Sequence, residues 1–171
     1  MELTSGSMAR MVAGLKPRGF TWVISERLAV SERVGGSGFQ HRRVRREEEI
    51  TWLVEEASIN TIVSLLPANQ NLAAYRQAGI ATYSVPILDP AGPDQANRFF
   101  TTLDQALARN RARVLVHRES IDDTLGGLLG GYLVKSGLIK DTILATAVIQ
   151  QILGRPLGPE GRALIPEPSP K

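Results

Sequence analysis

The chain has 171 residues, 43% of them hydrophobic, and a formal net charge of +3 at pH 7, as expected of one globular domain large enough to bury a core. A charge this mild does not argue for a nucleic-acid protein, and no apolar run has the length of a transmembrane helix. There is no cysteine, which excludes disulfides and any thiolate nucleophile.

Residues 1–19 are polar, glycine-containing and aperiodic. They predict a flexible arm without a secretory signal, so the cytoplasm is the expected compartment. From Phe20 the pattern sharpens. Thr21-Trp22-Val23-Ile24 and Arg27-Leu28-Ala29-Val30 read as two short strands of a hairpin-like entry. Gly35-Gly36-Ser37-Gly38 is a loop, and it lacks the Lys-Ser/Thr pair or spaced glycines of a nucleotide fingerprint. The basic run HRRVRR at residues 41–46 precedes Glu47, Glu48 and Glu49. Those acids suit the first turn of a helix running to about Ala57, with Ile50, Leu53, Val54 and Ala57 on one face. The basic run has two readings: a solvated edge of the loop and first turn, or a docking patch for an acidic partner. Trp22 and Trp52 sit beside apolar residues and are expected in or beside the core.

Residues 61–66 predict a buried strand stopped by Pro67, and residues 72–78 a short helix capped by Gly79. Residues 80–87 are a further strand, followed by a loop. Asp94 is the expected N-cap of a helix from Gln95 to about Arg109, with Phe99, Phe100, Leu103 and Leu107 facing inward. Val114-Leu115-Val116-His117 reads as the central buried strand. Two helices, 125–135 and 141–153, complete the domain at 20–165, and the proline-rich end at 166–171 predicts a disordered tail. Strands alternating with helices predict an α/β fold, a three-layer sandwich with a mostly parallel central sheet flanked by helices.

The stretch from Val114 to Thr124 has the layout of a phosphate-binding turn: an apolar strand, the polar loop His117-Arg118-Glu119-Ser120-Ile121-Asp122-Asp123-Thr124, then an apolar, glycine-rich helix. Upstream lie Leu28-Ala29-Val30-Ser31, after a Trp-containing entry, and Val85-Pro86-Ile87-Leu88-Asp89. Together these resemble the protein tyrosine phosphatase superfamily, in particular its compact dual-specificity branch. The resemblance implies a strand ending in His-Cys, a five-residue loop whose backbone N–H groups wrap a phosphate, and an arginine opening the next helix. In this chain Arg118 occupies the cysteine position, Thr124 the arginine position, and Ile121 that of a small mid-loop residue. Asp89 falls where the resemblance places the general acid; an Asp before Pro is equally a common turn residue.

A hydroxyl at Thr124 cannot supply the bidentate, charge-assisted bonds of a guanidinium. Glu119, Asp122 and Asp123 would repel an anion, and Asp122 or Asp123 is suited to cap the helix, with Arg118 paired to one of the loop acids. Three other readings remain open. Arg118 faces outward and holds an anionic ligand; the acids and His117 hold a divalent metal, without a recognised spacing; or His117 activates Ser120, without a third orienting group. The expected function is a catalytically inactive phosphatase-like protein, with no catalytic residue, cofactor or metal, that binds a protein partner or a second copy of itself. The glycines of the 125–135 helix permit close packing on the sheet or, in an assembly reading, on a neighbour. The alternatives are a phosphoester phosphatase with a non-cysteine nucleophile and an anion- or phospho-ligand-binding module. Neither a membrane nor a nucleic acid is an expected partner.

Overall fold

The computed structural model describes residues 11–167; residues 1–10 of the expected arm and 168–171 of the expected tail lie outside the described residues. The elements in chain order are β1 (Thr21–Ile24), β2 (Leu28–Glu32), α1 (Arg43–Glu55), β3 (Thr61–Ser64), α2 (Leu72–Gln77), β4 (Ala81–Ser84) and α3 (Pro93–Ala108). They are followed by β5 (Val114–Arg118), α4 (Asp123–Lys135), α5 (Thr142–Leu153) and α6 (Pro159–Ala163).

The five strands form one sheet in the order β1-β2-β5-β3-β4. Only β1 is antiparallel to its neighbour; β2, β5, β3 and β4 run parallel. Successive side chains of a strand face opposite sides of the sheet, and the core follows that alternation. Leu28, Val30, Val63, Val114 and Val116 join Phe99, Leu103, Leu125, Leu128 and Ile149 on one side. Ala29, Ile62 and Leu115 join Leu53, Ile50 and Tyr75 on the other. Helices therefore cover both faces, the condition under which parallel β-branched strands are stable. Among the described residues no helix is long and apolar enough to cross a membrane.

Helix α4 runs through the middle of its layer, with every residue from Thr124 to Val134 buried. Its glycines are consumed inside the molecule. A Cβ at Gly127 would overlap the carbonyl oxygen of Gly161 on α6, and one at Gly131 would stand 2.7 Å from the Phe100 ring and from the Leu164 carbonyl. Close approach to α6 and α3 thus accounts for the small residues without an external neighbour.

Three local expectations are corrected. The basic run itself forms the first turn of α1, which begins at Arg43 with no acid in that turn. Helix α3 is capped by Gly92, and Asp94 lies inside its first turn behind Pro93; proline's fixed φ suits the first helical position. Helix α6 was not expected, because five residues carry too little periodicity to be recognised. The described end of the expected arm docks onto α1: Ala13 N donates to Glu56 Oε1 (2.8 Å), Leu15 N donates to the Glu48 carbonyl (3.0 Å), and Lys16 Nζ lies 5.8 Å from the Trp52 ring centroid.

Candidate active site

The parallel strands end on one edge of the sheet, and the loops leaving that edge converge, the usual place for a ligand in such folds. Four matter here: the loop after β2 with Arg33, the loop after β3 with Asn69 and Asn71, the loop after β4 with Asp89, and the signature loop after β5.

Arg118 ends β5 and is almost entirely buried. Its Nη2 donates to Asp89 Oδ1 (2.9 Å) and to the Ile87 carbonyl (3.3 Å), and its Nη1 is bonded to Asp122 Oδ2. The other Asp122 oxygen accepts from Leu125 N at 2.9 Å, so Asp122 is the N-cap of α4 as well as a partner of Arg118. Thr124 donates its hydroxyl to the same Asp89 oxygen (3.3 Å). One guanidinium is therefore shared by two carboxylates. Both line a cavity of about 270 Å³ together with Leu65, Pro67, Ile87 and Glu119. Asp89 is the open member, with 66% of its side chain exposed against 37% for Asp122.

The remaining loop residues separate. Glu119 turns away from Arg118 and pairs with Arg33 Nη1 at 2.8 Å. Asp123 leaves the pocket altogether: its two oxygens accept from Gly158 N (2.5 Å) and Gly161 N (2.6 Å), holding the start of α6. Ile121 is half-buried against the core and crowds Gly19, while its carbonyl accepts from Arg155 Nη1 at 2.8 Å. Ser120 is exposed.

His117 is fully buried. Its Nε2 faces Asn69 Nδ2 and the Tyr75 hydroxyl, both at 3.4 Å. The Asn69 amide nitrogen can only donate, so Nε2 is the accepting nitrogen and Nδ1 carries the hydrogen. Burial, with Arg33 adding to it, holds the imidazole pKa down at about 3. Burial likewise pushes the Tyr75 hydroxyl up to about 12. Asn71 continues the network, donating from Nδ2 to the Val34 carbonyl (2.7 Å) and to Tyr75 Oη (3.3 Å). A neutral, buried His117 supports the strand end from below. It does not meet the exposed Ser120, which removes the basis for that pair, and among the described residues no group of three or more His, Asp or Glu has the arrangement of a metal site.

Arg33, Asn69, Asn71 and Tyr75 belong to this site and were not recognised from sequence. The one available signal was topological, since each lies in or just after a loop leaving the carboxyl edge of a parallel strand.

No family model matches the chain, and a search of curated proteins finds no match. Solved structures do match. The core catalytic domain of the PP-IP phosphatase SIW14 from S. cerevisiae, in complex with citrate, has a TM-score of 0.66 at 17% identity, covering 89% of this chain and 86% of that one. Kinase associated phosphatase, with its catalytic-site cysteine changed to serine, gives 0.70 at 15% identity over 88% and 93%. Tk-PTP in its active form gives 0.64 at 15% identity over 86% and 92%. The chain therefore shares the α/β fold of these phosphatases, a fold of the protein tyrosine phosphatase type. The expectation of an inactive, partner-binding protein is corrected by these comparisons. The similar structures are phosphatases, one of them in its active form, and they favour the phosphatase alternative. The absence of cysteine stands beside that finding and closes any route through a phosphocysteine.

Proposed function

We propose that the chain is a cytoplasmic phosphoester phosphatase whose nucleophile is water in place of a thiolate. The observation that carries this reading is the sharing of Arg118 by Asp89 and Asp122 in a cavity at the carboxyl edge of the sheet. A guanidinium between two carboxylates contains the three elements that direct hydrolysis needs: a cation for the phosphoryl oxygens, a base and an acid. In this reading a phosphoryl oxygen replaces Asp122 on Arg118, and the released carboxylate takes a proton from the attacking water. The new P–O bond forms as the bond to the leaving alcohol breaks. Asp89, the more open of the two, relays a proton from solvent to the departing oxygen, and Asp122 gives the proton it has taken back to solvent. Thr124 positions Asp89 through its hydroxyl. Leu125 N is taken by the Asp122 side chain, while the Asp123 and Thr124 N–H groups have no partner within the helix and add donors for the anion.

The test is hydrolysis of p-nitrophenyl phosphate by purified protein, compared with Asp89→Asn and Ser120→Ala. Turnover that falls at least about tenfold in Asp89→Asn, is retained in Ser120→Ala and leaves no phosphorylated protein is the expected result. No turnover, or turnover indifferent to Asp89→Asn, overturns the reading.

A further inference from the structure

The segment that carries Asp89 first prolongs the sheet and then leaves it. Val85 N donates to the Ser64 carbonyl (2.9 Å) and Ile87 N to the Leu65 carbonyl (3.0 Å), so alternate residues keep pairing with β3 beyond the end of β4. The Ile87 carbonyl faces the same way and accepts from Arg118 Nη2 at 3.3 Å. Leu88 has the opposite phase. Successive residues of an extended strand turn their backbone groups to opposite sides, and β4 is the edge of the sheet, so no strand lies beyond Leu88 to receive its N–H and C=O. A side chain takes that place. Leu88 N donates to Gln95 Oε1 (2.6 Å), and Gln95 Nε2 donates to the Leu88 carbonyl (3.3 Å). A side-chain amide carries its acceptor and its donor on neighbouring atoms, so it meets both backbone groups of one residue as a strand would. The orientation is unambiguous, because exchanging the two ends of the amide would set oxygen against oxygen and nitrogen against nitrogen.

Little else holds this stretch. Among the described residues no other backbone group from Leu88 to Ala91 forms a hydrogen bond, and Pro90 has no N–H to offer. Asp89, with 66% of its side chain exposed, is otherwise tied through its carboxylate alone, to Arg118 and Thr124. An exposed loop with so few bonds belongs to the least stable parts of a fold unless something anchors it. Gln95 supplies the anchor from a firm base. It stands near the start of α3, beside Ala96 and Phe99, which are buried in the core. Leu88 and Asp89 line the cavity at Arg118 and Gln95 does not, so Gln95 acts on the site only through them.

We propose that Gln95 is a positioning residue for the hydrolytic reaction: by pinning Leu88 through both backbone groups, it holds the next residue, Asp89, where its carboxyl group reaches the departing oxygen. This rests on hydrolysis at Arg118 with Asp89 as the group that delivers the proton. A carboxyl group passes a proton only within hydrogen-bond reach, about 2.6–3.2 Å, and a misplacement of about 1 Å can cost about a hundredfold in rate. A single bond to Leu88 would leave a pivot. Two bonds fix both the position and the tilt of the peptide that precedes Asp89, and alanine at position 95 would remove both.

The test is steady-state turnover of phenyl phosphate and of p-nitrophenyl phosphate by the intact protein and by Gln95→Ala, with backbone amide relaxation measured at Leu88 and Asp89. p-Nitrophenolate departs with little need of a proton, whereas phenolate needs one, so a displaced acid separates the two substrates. The expected result in Gln95→Ala is a kcat for phenyl phosphate lowered at least about tenfold, a smaller loss with p-nitrophenyl phosphate and an unchanged KM for both. The order parameters of the two amides should fall from about 0.85 to below about 0.6. The melting temperature should stay where it is, because the lost bonds lie at the surface. Equal losses with the two substrates, no loss, or unchanged order parameters overturn the proposal. If the wild type hydrolyses neither substrate, the hydrolytic reading fails by itself, and the order parameters then decide whether Gln95 fixes the loop that carries Asp89.

Discussion

Arg118 Nη2 and Asp89 Oδ1 stand 2.9 Å apart, joining the end of the central strand to the loop after β4. The same guanidinium holds Asp122, so Arg118 is the element on which the two acids of the pocket depend.

Removing that guanidinium in Arg118→Ala leaves Asp89 and Asp122 without their common counter-charge. Deleting one member of a fully buried pair costs several kcal/mol, but both acids here reach solvent, so the discounted loss is about 1–2 kcal/mol. Urea denaturation at neutral pH measures it. A variant as stable as wild type would show that the shared ion pairs contribute nothing to the fold.

Asp123→Asn should be costlier than its place in a surface-type loop suggests. Its carboxylate accepts from Gly158 N and Gly161 N and is what anchors α6 to the start of α4. Hydrogen bonds to a charged acceptor contribute about 1.5–3 kcal/mol each, and the amide keeps one accepting oxygen. A loss of about 2 kcal/mol, with faster hydrogen exchange confined to residues 158–165, is the expected outcome. Uniform exchange throughout the chain would contradict the local anchoring.

Gly127→Ala meets backbone, and backbone cannot rotate away. The added methyl overlaps the Gly161 carbonyl, so α6 must lift from α4 at a cost of about 3 kcal/mol. Gly137→Ala provides the contrast: nothing lies within 4 Å of its added Cβ, and only the positive φ of +82° opposes it, a loss of about 1 kcal/mol. Thermal melts of the two variants should keep that order.

His117 makes the fold acid-sensitive. Its folded pKa, about 3, lies below the ordinary 6.5, so between those values the unfolded chain binds a proton that the folded chain does not. Its contribution is fully present above pH 6.5 and is lost as pH falls toward 3, to the extent of a few kcal/mol. Denaturation midpoints measured from pH 7 to pH 4 should therefore fall less steeply in His117→Asn. Parallel slopes for the two proteins would defeat this account.

The sequence by itself determined the architecture. Alternating β-branched strands and amphipathic helices led to a layered α/β fold, because periodicity and burial are written locally; its phosphatase type came from the resemblance carried by the 114–124 stretch. The strand–loop–helix order also pointed to the candidate loop, since the loops at the carboxyl ends of parallel strands converge wherever they fall in the chain. The cysteine count was decisive for the same reason, being a property of composition alone.

Which acid serves which partner was decided only by tertiary structure. Glu119, Asp122 and Asp123 are near neighbours in the loop, yet they face Arg33, Arg118 and the start of α6 respectively. Their directions depend on how β2, β5 and α6 are placed in space, and no local pattern encodes that. The paired use of Arg118 by Asp89, 29 positions away in sequence, and the neutral state of His117 arise in the same way. Both are set by burial and by groups from distant loops, and charge interactions respond to distance in space and not along the chain.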